Sequence, residues 1–166
     1  MMLPPQETID AFVNAAGFGD IDGVRIFTIY YPQAVDAKSS FGDVALVYAA
    51  WADRENIVRL LLERGARIDA PSHDGNTALL SAVGAGHEKM VGLLLAHGAD
   101  CSATDKKGRT ARMLADELNR VMIVKMIDDH VAAITEKENK MAQQAQAVHK
   151  KLRSRKPPKP FGKPKP

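Results

Sequence analysis

The stretch DGNTALLSAVGAGHEKMVGLLLAHGAD, from Asp74 to Asp100, decides the fold. Ala78 to Ala85 is a short run of small residues, suited to a helix packed closely on its neighbours. Residues 88–97 place Met90, Val91, Leu94 and Leu95 at helical spacing, which gives one apolar face. Gly98 sits where a helix C-terminus wants a left-handed residue. Asp74-Gly75 is turn chemistry. The stretch therefore reads as helix, turn, helix and a turn-rich connector. A unit this small cannot bury its apolar face alone, so such units must stack.

The sequence supplies the neighbours. Residues 41–73 laid over 74–106 without a gap agree at thirteen of thirty-three positions, where ordinary composition gives about two by chance. The matches include Gly42/Gly75, Ala45/Ala78, Leu46/Leu79, Ala49/Ala82, Val58/Val91, Leu60-Leu61-Leu62/Leu93-Leu94-Leu95, Gly65-Ala66/Gly98-Ala99 and Ala70/Ala103. Residues 107–128 continue the pattern with Gly108, Thr110-Ala111, Leu114-Ala115 and Ile123, Val124, Met126 and Ile127. Residues 8–40 form a degenerate first copy, with Ala15-Ala16, Gly19-Asp20, Val24, Phe27 and Val35-Asp36-Ala37. A 33-residue period with these glycines and leucine triplets resembles the ankyrin repeat.

The resemblance implies an all-α solenoid of stacked helix-turn-helix units joined by short hairpin-like connectors. Residues 1–7 are read as a flexible start. Residues 8–135 form the repeat domain, with repeats at about 8–40, 41–73, 74–106 and 107–135. Residues 136–166 form a helical extension and a disordered basic tail. The sequence departs from the family at the usual Thr-Pro-Leu-His, which is Val44-Ala45-Leu46-Val47, Thr77-Ala78-Leu79-Leu80 and Thr110-Ala111-Arg112-Met113 here. The histidine that ties adjacent repeats by hydrogen bonds is missing from all three, so apolar packing is expected to replace that network. Gly84, Gly86 and Gly92 are each expected to weaken local helix, by up to about 1 kcal/mol relative to Ala.

The far end reads as a cap. In repeat four the leucine triplet becomes Met126-Ile127-Asp128, and Asp129 and His130 follow where another repeat would stack. From Val121 to Arg153 there is no Gly or Pro, which favours helix. Ile127, Val131, Ile134, Met141, Ala145, Val148 and Leu152 recur at heptad spacing, interrupted by Glu138. That helix is either a cap running into solvent or a partner-binding coiled-coil strand. Five prolines among residues 157–166 and like charges keep the last segment from folding on itself.

The 166 residues suffice for one domain with a modest extension. The net charge of +3 hides an asymmetry. Residues 150–166 hold eight Lys/Arg and no acid, leaving fifteen bases against twenty acids in the first 149 residues. An acidic body with a basic tail differs from a uniformly basic protein. No apolar run is long enough for a membrane span. The start, MMLPPQETID, has neither the basic flank nor the apolar core of a secretory signal. A single cysteine, Cys101, excludes an internal disulfide framework and fits a reducing, cytoplasmic setting. A nuclear or secreted-effector location is the alternative, through the tail.

Nothing in the sequence reads as catalytic. None of His73, His87, His97, His130 and His149 has metal-ligand spacing backed by Cys or carboxylates. Cys101 reads as a half-buried filler, with no base arranged around it. There is no phosphate loop, nucleophile elbow or zinc-protease motif. The reading is therefore a non-enzyme without cofactor, metal or small-molecule substrate, monomeric, with a protein partner of unknown identity.

The resemblance places partner binding on a concave face made of connector tips and the outward residues of each first helix. Carried over, the partner-binding positions are Phe41, Asp43, Trp51, His73, Asp74, Asn76, Lys106, Lys107 and Arg109. Trp51 is the only tryptophan, a residue type favoured at binding hot spots. It either serves the partner or folds back near Phe18 or Tyr48. The positions run from aromatic in repeat two to cationic in repeat four, which suits a partner with an apolar knob and an acidic flank. The alternative function is an adaptor targeted by its tail. Lys150, Lys151, Arg153, Arg155 and Lys156 would then contact nucleic acid, acidic membrane or the nuclear import machinery.

Overall fold

Three series of left-handed residues, spaced 33 apart, divide the repeats into helices. Gly42, Gly75 and Gly108 mark the connector tips, and Gly65 and Gly98 follow the second helix of their repeats. The third series lies between the two helices of each repeat: Asp53 (φ 58°), Gly86 (φ 84°) and Asn119 (φ 53°), with Gly19, 34 residues before Asp53, in the first copy. Asp and Asn are the non-glycine residues that best tolerate this conformation. Gly86 was expected to weaken a helix. It instead stands just outside one, as a left-handed C-cap whose N–H donates to the Ala82 carbonyl, a position that favours glycine.

The computed structural model describes residues 3–153. Helices α1 (Gln6–Phe18), α2 (Ile21–Tyr30), α3 (Ala45–Trp51), α4 (Glu55–Glu63), α5 (Ala78–Ala85), α6 (Glu88–Ala96), α7 (Ala111–Glu117) and α8 (Val121–Arg153) follow in pairs, with a 3-10 turn at Pro32–Ala34. No strand occurs among the described residues, and isolated bridges Lys38–Val44 and Thr104–Thr110 give two connectors their hairpin-like form. The fold is an all-α repeat solenoid. Each connector turn repeats the same bonds: Ser39, Ser72 and Asp105 donate their N–H to the carbonyls of Asp43, Asn76 and Arg109. Thr77 and Thr110 cap α5 and α7 by accepting from the N–H groups of Leu80 and Met113. Val44 precedes α3 without a side-chain cap.

Residues up to His130 form one compact unit. Within it α1 packs on α3, α3 on α5 and α5 on α7. The close approach is allowed by alanines: Ala16, Ala45, Ala49, Ala78, Ala82, Ala111 and Ala115 are all essentially inaccessible. The second helices stand farther apart, and of these α2 and α4 approach most closely. Leu46, Ile57, Leu61, Leu79, Leu94, Ile123 and Ile127 fill the space between the layers. Phe12 and Phe27 stack at 3.9 Å in the first repeat. One apolar cluster runs from Phe12 to Ile127, so each repeat completes its neighbour's core. Full burial of one such leucine stabilises by about 1.5–3 kcal/mol.

The expectation that apolar packing alone replaces the missing histidine network needs correction. Polar ties between repeats exist, carried by other positions. Arg54 Nε donates to the Gly17 carbonyl at 3.1 Å, and His87 Nε2 meets the Trp51 carbonyl at 3.0 Å. These residues and Arg120 are spaced 33 apart, and Arg120 lays its guanidinium against Gly86. A second ladder joins the ends of the second helices. Asp36 accepts from the Arg67 N–H and Asp69 from the Asp100 N–H, at 3.1 and 2.9 Å. His73 N–H also donates to the Gly42 carbonyl at 2.7 Å.

The second unit begins at Val131. Its described part is the remainder of α8, in which every residue through Arg153 is exposed. Val131, Ile134, Met141, Val148 and Leu152 are among the exposed apolar side chains. Glu136 and Lys140 pair one turn apart at 2.7 Å. The tail positions Arg155 and Lys156 lie outside the described residues.

Candidate partner-binding face

The first helices and connectors of the repeat unit share one face. Its central row falls at the C-terminal turns of successive first helices, 33 residues apart: Phe18, Trp51, Gly84 and Glu117. All four are exposed. Trp51 folds back toward Tyr48 only in part. Its ring lies 5.9 Å from that of Tyr48, which meets Phe18 edge-on at 6.5 Å, yet Trp51 remains 57% exposed. Tyr48 is the half-buried base of this aromatic cluster. Its ring covers Gly17, where an added Cβ would stand 2.5 Å from Tyr48 Cε1. Phe18 was not among the expected site residues, although its place one repeat before Trp51 was available as a signal.

Phe41 stands apart from these rings at its connector tip and is 84% exposed. Five other expected residues come together. Asp74, Asn76, Lys106, Lys107 and Arg109 line one pocket of about 340 Å³ between the tips of repeats three and four, with Asp105. His73 and Asp43 are exposed on neighbouring tips.

Arg109 differs from the other cations. Its Nη2 donates to Asp105 at 2.7 Å, and its Nη1 donates to Glu117 at 3.0 Å. Asp105 is buried where the other connectors have Ser39 and Ser72, and it also accepts from the N–H groups of Lys107 and Arg109. The Arg109 N–H foremost, with its guanidinium, holds the Asp105 carboxyl below its usual range. The bond to Asp105 in turn raises the guanidinium's own value. Arg109 thus answers the acid that repeat four carries in place of serine. Lys106 and Lys107 are exposed, with no side-chain partner among the described residues.

Cys101 is half-buried against the core, and burial, with Asp100 and Asp69 nearby, pushes its thiol up. That is the opposite of an activated nucleophile. Among the described residues no group of three His, Cys, Asp or Glu could hold a metal ion. No helix there is long and apolar enough to cross a membrane.

A family model for ankyrin repeats in three copies matches residues 12–105 and again 64–141. The chain belongs to the ankyrin repeat family. The two matches overlap and together cover residues 12–141, from within α1 into α8. No curated protein matches the chain. Ankyrin repeats are generally protein-interaction modules and typically lack catalysis, so the family implies a protein partner without specifying it. The function of this ankyrin chain must therefore be argued from its own face.

Proposed function

We propose that this ankyrin chain is a non-catalytic binding module that holds a partner protein on the face formed by Phe41, Trp51 and the tips of repeats three and four. The observation that carries the reading is the exposure of Trp51 and Phe41 on that face. Exposed aromatic residues of this kind supply much of the binding energy at interfaces, and truncating one such anchor costs about 2 kcal/mol or more. Asp43, His73, Asp74, Asn76, Lys106 and Lys107 would form the polar rim, while Arg109 holds the rim's shape through Asp105. The test is capture from native lysate at low and moderate salt with three baits: the full chain, Trp51→Ala/Phe41→Ala, and a truncation after Ile134. A partner lost with the double variant and kept by the truncation supports the face.

A second reading keeps the tail as the targeting element. It is favoured by the last turn of α8, which presents Lys150, Lys151 and Arg153 exposed. A polyanion held there would be lost with the truncation and released steeply as salt rises.

A further inference from the structure

The rim of the binding face is polarised along the stack, and its floor has a gap. Equivalent tip positions in repeats two, three and four read Phe41, Asp74, Lys107 and Asp43, Asn76, Arg109. Asp43, Asp74, Lys106 and Lys107 are exposed, and their side chains have no partner among the described residues. Arg109 is engaged by Asp105 and Glu117. The available charge is therefore negative at repeats two and three and positive at repeat four.

The gap is at Gly84, between Trp51 and Glu117 in the central row. Gly84 lies inside α5 and has no left-handed backbone that would require glycine. A Cβ built there meets only Leu114 Cδ2, at 3.8 Å, which is ordinary contact. Packing thus leaves Gly84 open without needing the space. Neighbouring helices stand about 8–10 Å apart, so the row from α3 to α7 spans nearly 20 Å with no side chain at its centre. Trp51 holds the equivalent position one repeat before Gly84, and Glu117, paired with Arg109, holds it one repeat after.

Building on the binding-module reading, we propose that this face takes a linear protein segment with three features: a large apolar side chain seated over Gly84 beside Trp51, an acidic residue on Lys106 and Lys107, and a basic residue toward Asp43 and Asp74. Charge complementarity fixes the direction of the segment, and the glycine gap fixes its anchor. Asp74 borders the same pocket as the two lysines, and Asp43, the far end of the acidic side, lies two repeat spacings of about 10 Å from them. An extended chain crosses that distance in about six residues at roughly 3.3 Å each.

The probe is a displayed library of random linear peptides long enough to span three repeats, selected on the full chain. Enriched peptides are then synthesised and titrated calorimetrically. They should carry a large apolar residue between a base and an acid. Gly84→Leu should weaken them at least about tenfold by filling the anchor site, and Trp51→Ala should weaken them about thirtyfold. Lys106→Glu/Lys107→Glu should cost about tenfold at low salt, and changing the peptide's acid to lysine should restore binding. Thermal melts check that each variant is folded, and Gly84→Gln fills the same space should the leucine destabilise the repeat. Binding that needs Trp51 but ignores Gly84 and the charge swap overturns the proposal and leaves the face in place. Binding indifferent to Trp51 overturns both. A library yielding no binder overturns the linear segment and points the face toward a folded partner.

Discussion

Replacing a helical glycine by alanine ordinarily stabilises, by up to about 1 kcal/mol. Gly17→Ala should do the reverse here. The new methyl would stand 2.5, 2.6 and 2.7 Å from three carbons of the Tyr48 ring. Atoms cannot share that space, so the ring must move. It is held between Phe18 and Trp51 and packs against the core, so moving it loosens the contact between α1 and α3. Overpacking of this kind costs about 1–3 kcal/mol, which exceeds the helical gain and leaves a net loss of about 1 kcal/mol. The melting temperature of a repeat domain this size should fall by about 3–6 °C. Gly84→Ala is the control, because its methyl meets only Leu114 Cδ2 at 3.8 Å and should bring a gain of up to about 1 kcal/mol. Urea unfolding followed by far-UV circular dichroism measures both variants, and Trp51 fluorescence reports movement of the Tyr48 ring. A Gly17→Ala chain at least as stable as the parent, with unchanged Trp51 emission, would refute the reasoning.

Three further outcomes follow from the packing and the charges. Leu94→Ala empties a site with no solvent access at the centre of the stack and should lower stability by about 2–5 kcal/mol in urea unfolding. Asp10, Asp100 and Asp105 are held below the usual carboxylate range, Asp10 and Asp100 chiefly by the side chains of Ser40 and Ser102 and Asp105 by the Arg109 N–H. Depressed folded values mean that their stabilisation is complete above the unfolded carboxylate pKa of about 4 and is lost as pH falls through the lower folded values. Urea midpoints should therefore drop below about pH 4, and midpoints that stay level there would contradict the assignment. The Cys101 thiol, pushed up by burial, should react with iodoacetamide more slowly in the folded chain than in urea, and equal rates would contradict its half-buried placement.

The period was legible because it rests on residues whose chemistry is local. Gly98 and the leucines of residues 93–95 announce a helix end and a buried face without knowledge of their neighbours. Helices α5 and α6 accordingly fall where those residues put them. Relations between repeats were harder to see. Arg54 and His87 differ in size and shape, so their common reach to the carbonyls of the preceding repeat emerges only once the helices are stacked. The pairing of Arg109 was hidden because Asp105, four residues before it, occupies a place where the other connectors have serine. Asp53 and Asn119 gave no sign of their left-handed backbone until aligned with Gly86. Trp51 was ambiguous in the sequence because a ring can touch Tyr48 and still face solvent.

Binding on the repeat face is tested most directly by amide hydrogen exchange of the full chain, with and without the captured partner. Protection should concentrate in residues 41–52, 73–85 and 106–118, the connector tips and first helices of repeats two to four, while 131–153 exchanges as in the free chain. Protection confined to residues beyond 150, with the repeat face unchanged, would contradict it and assign binding to the basic tail.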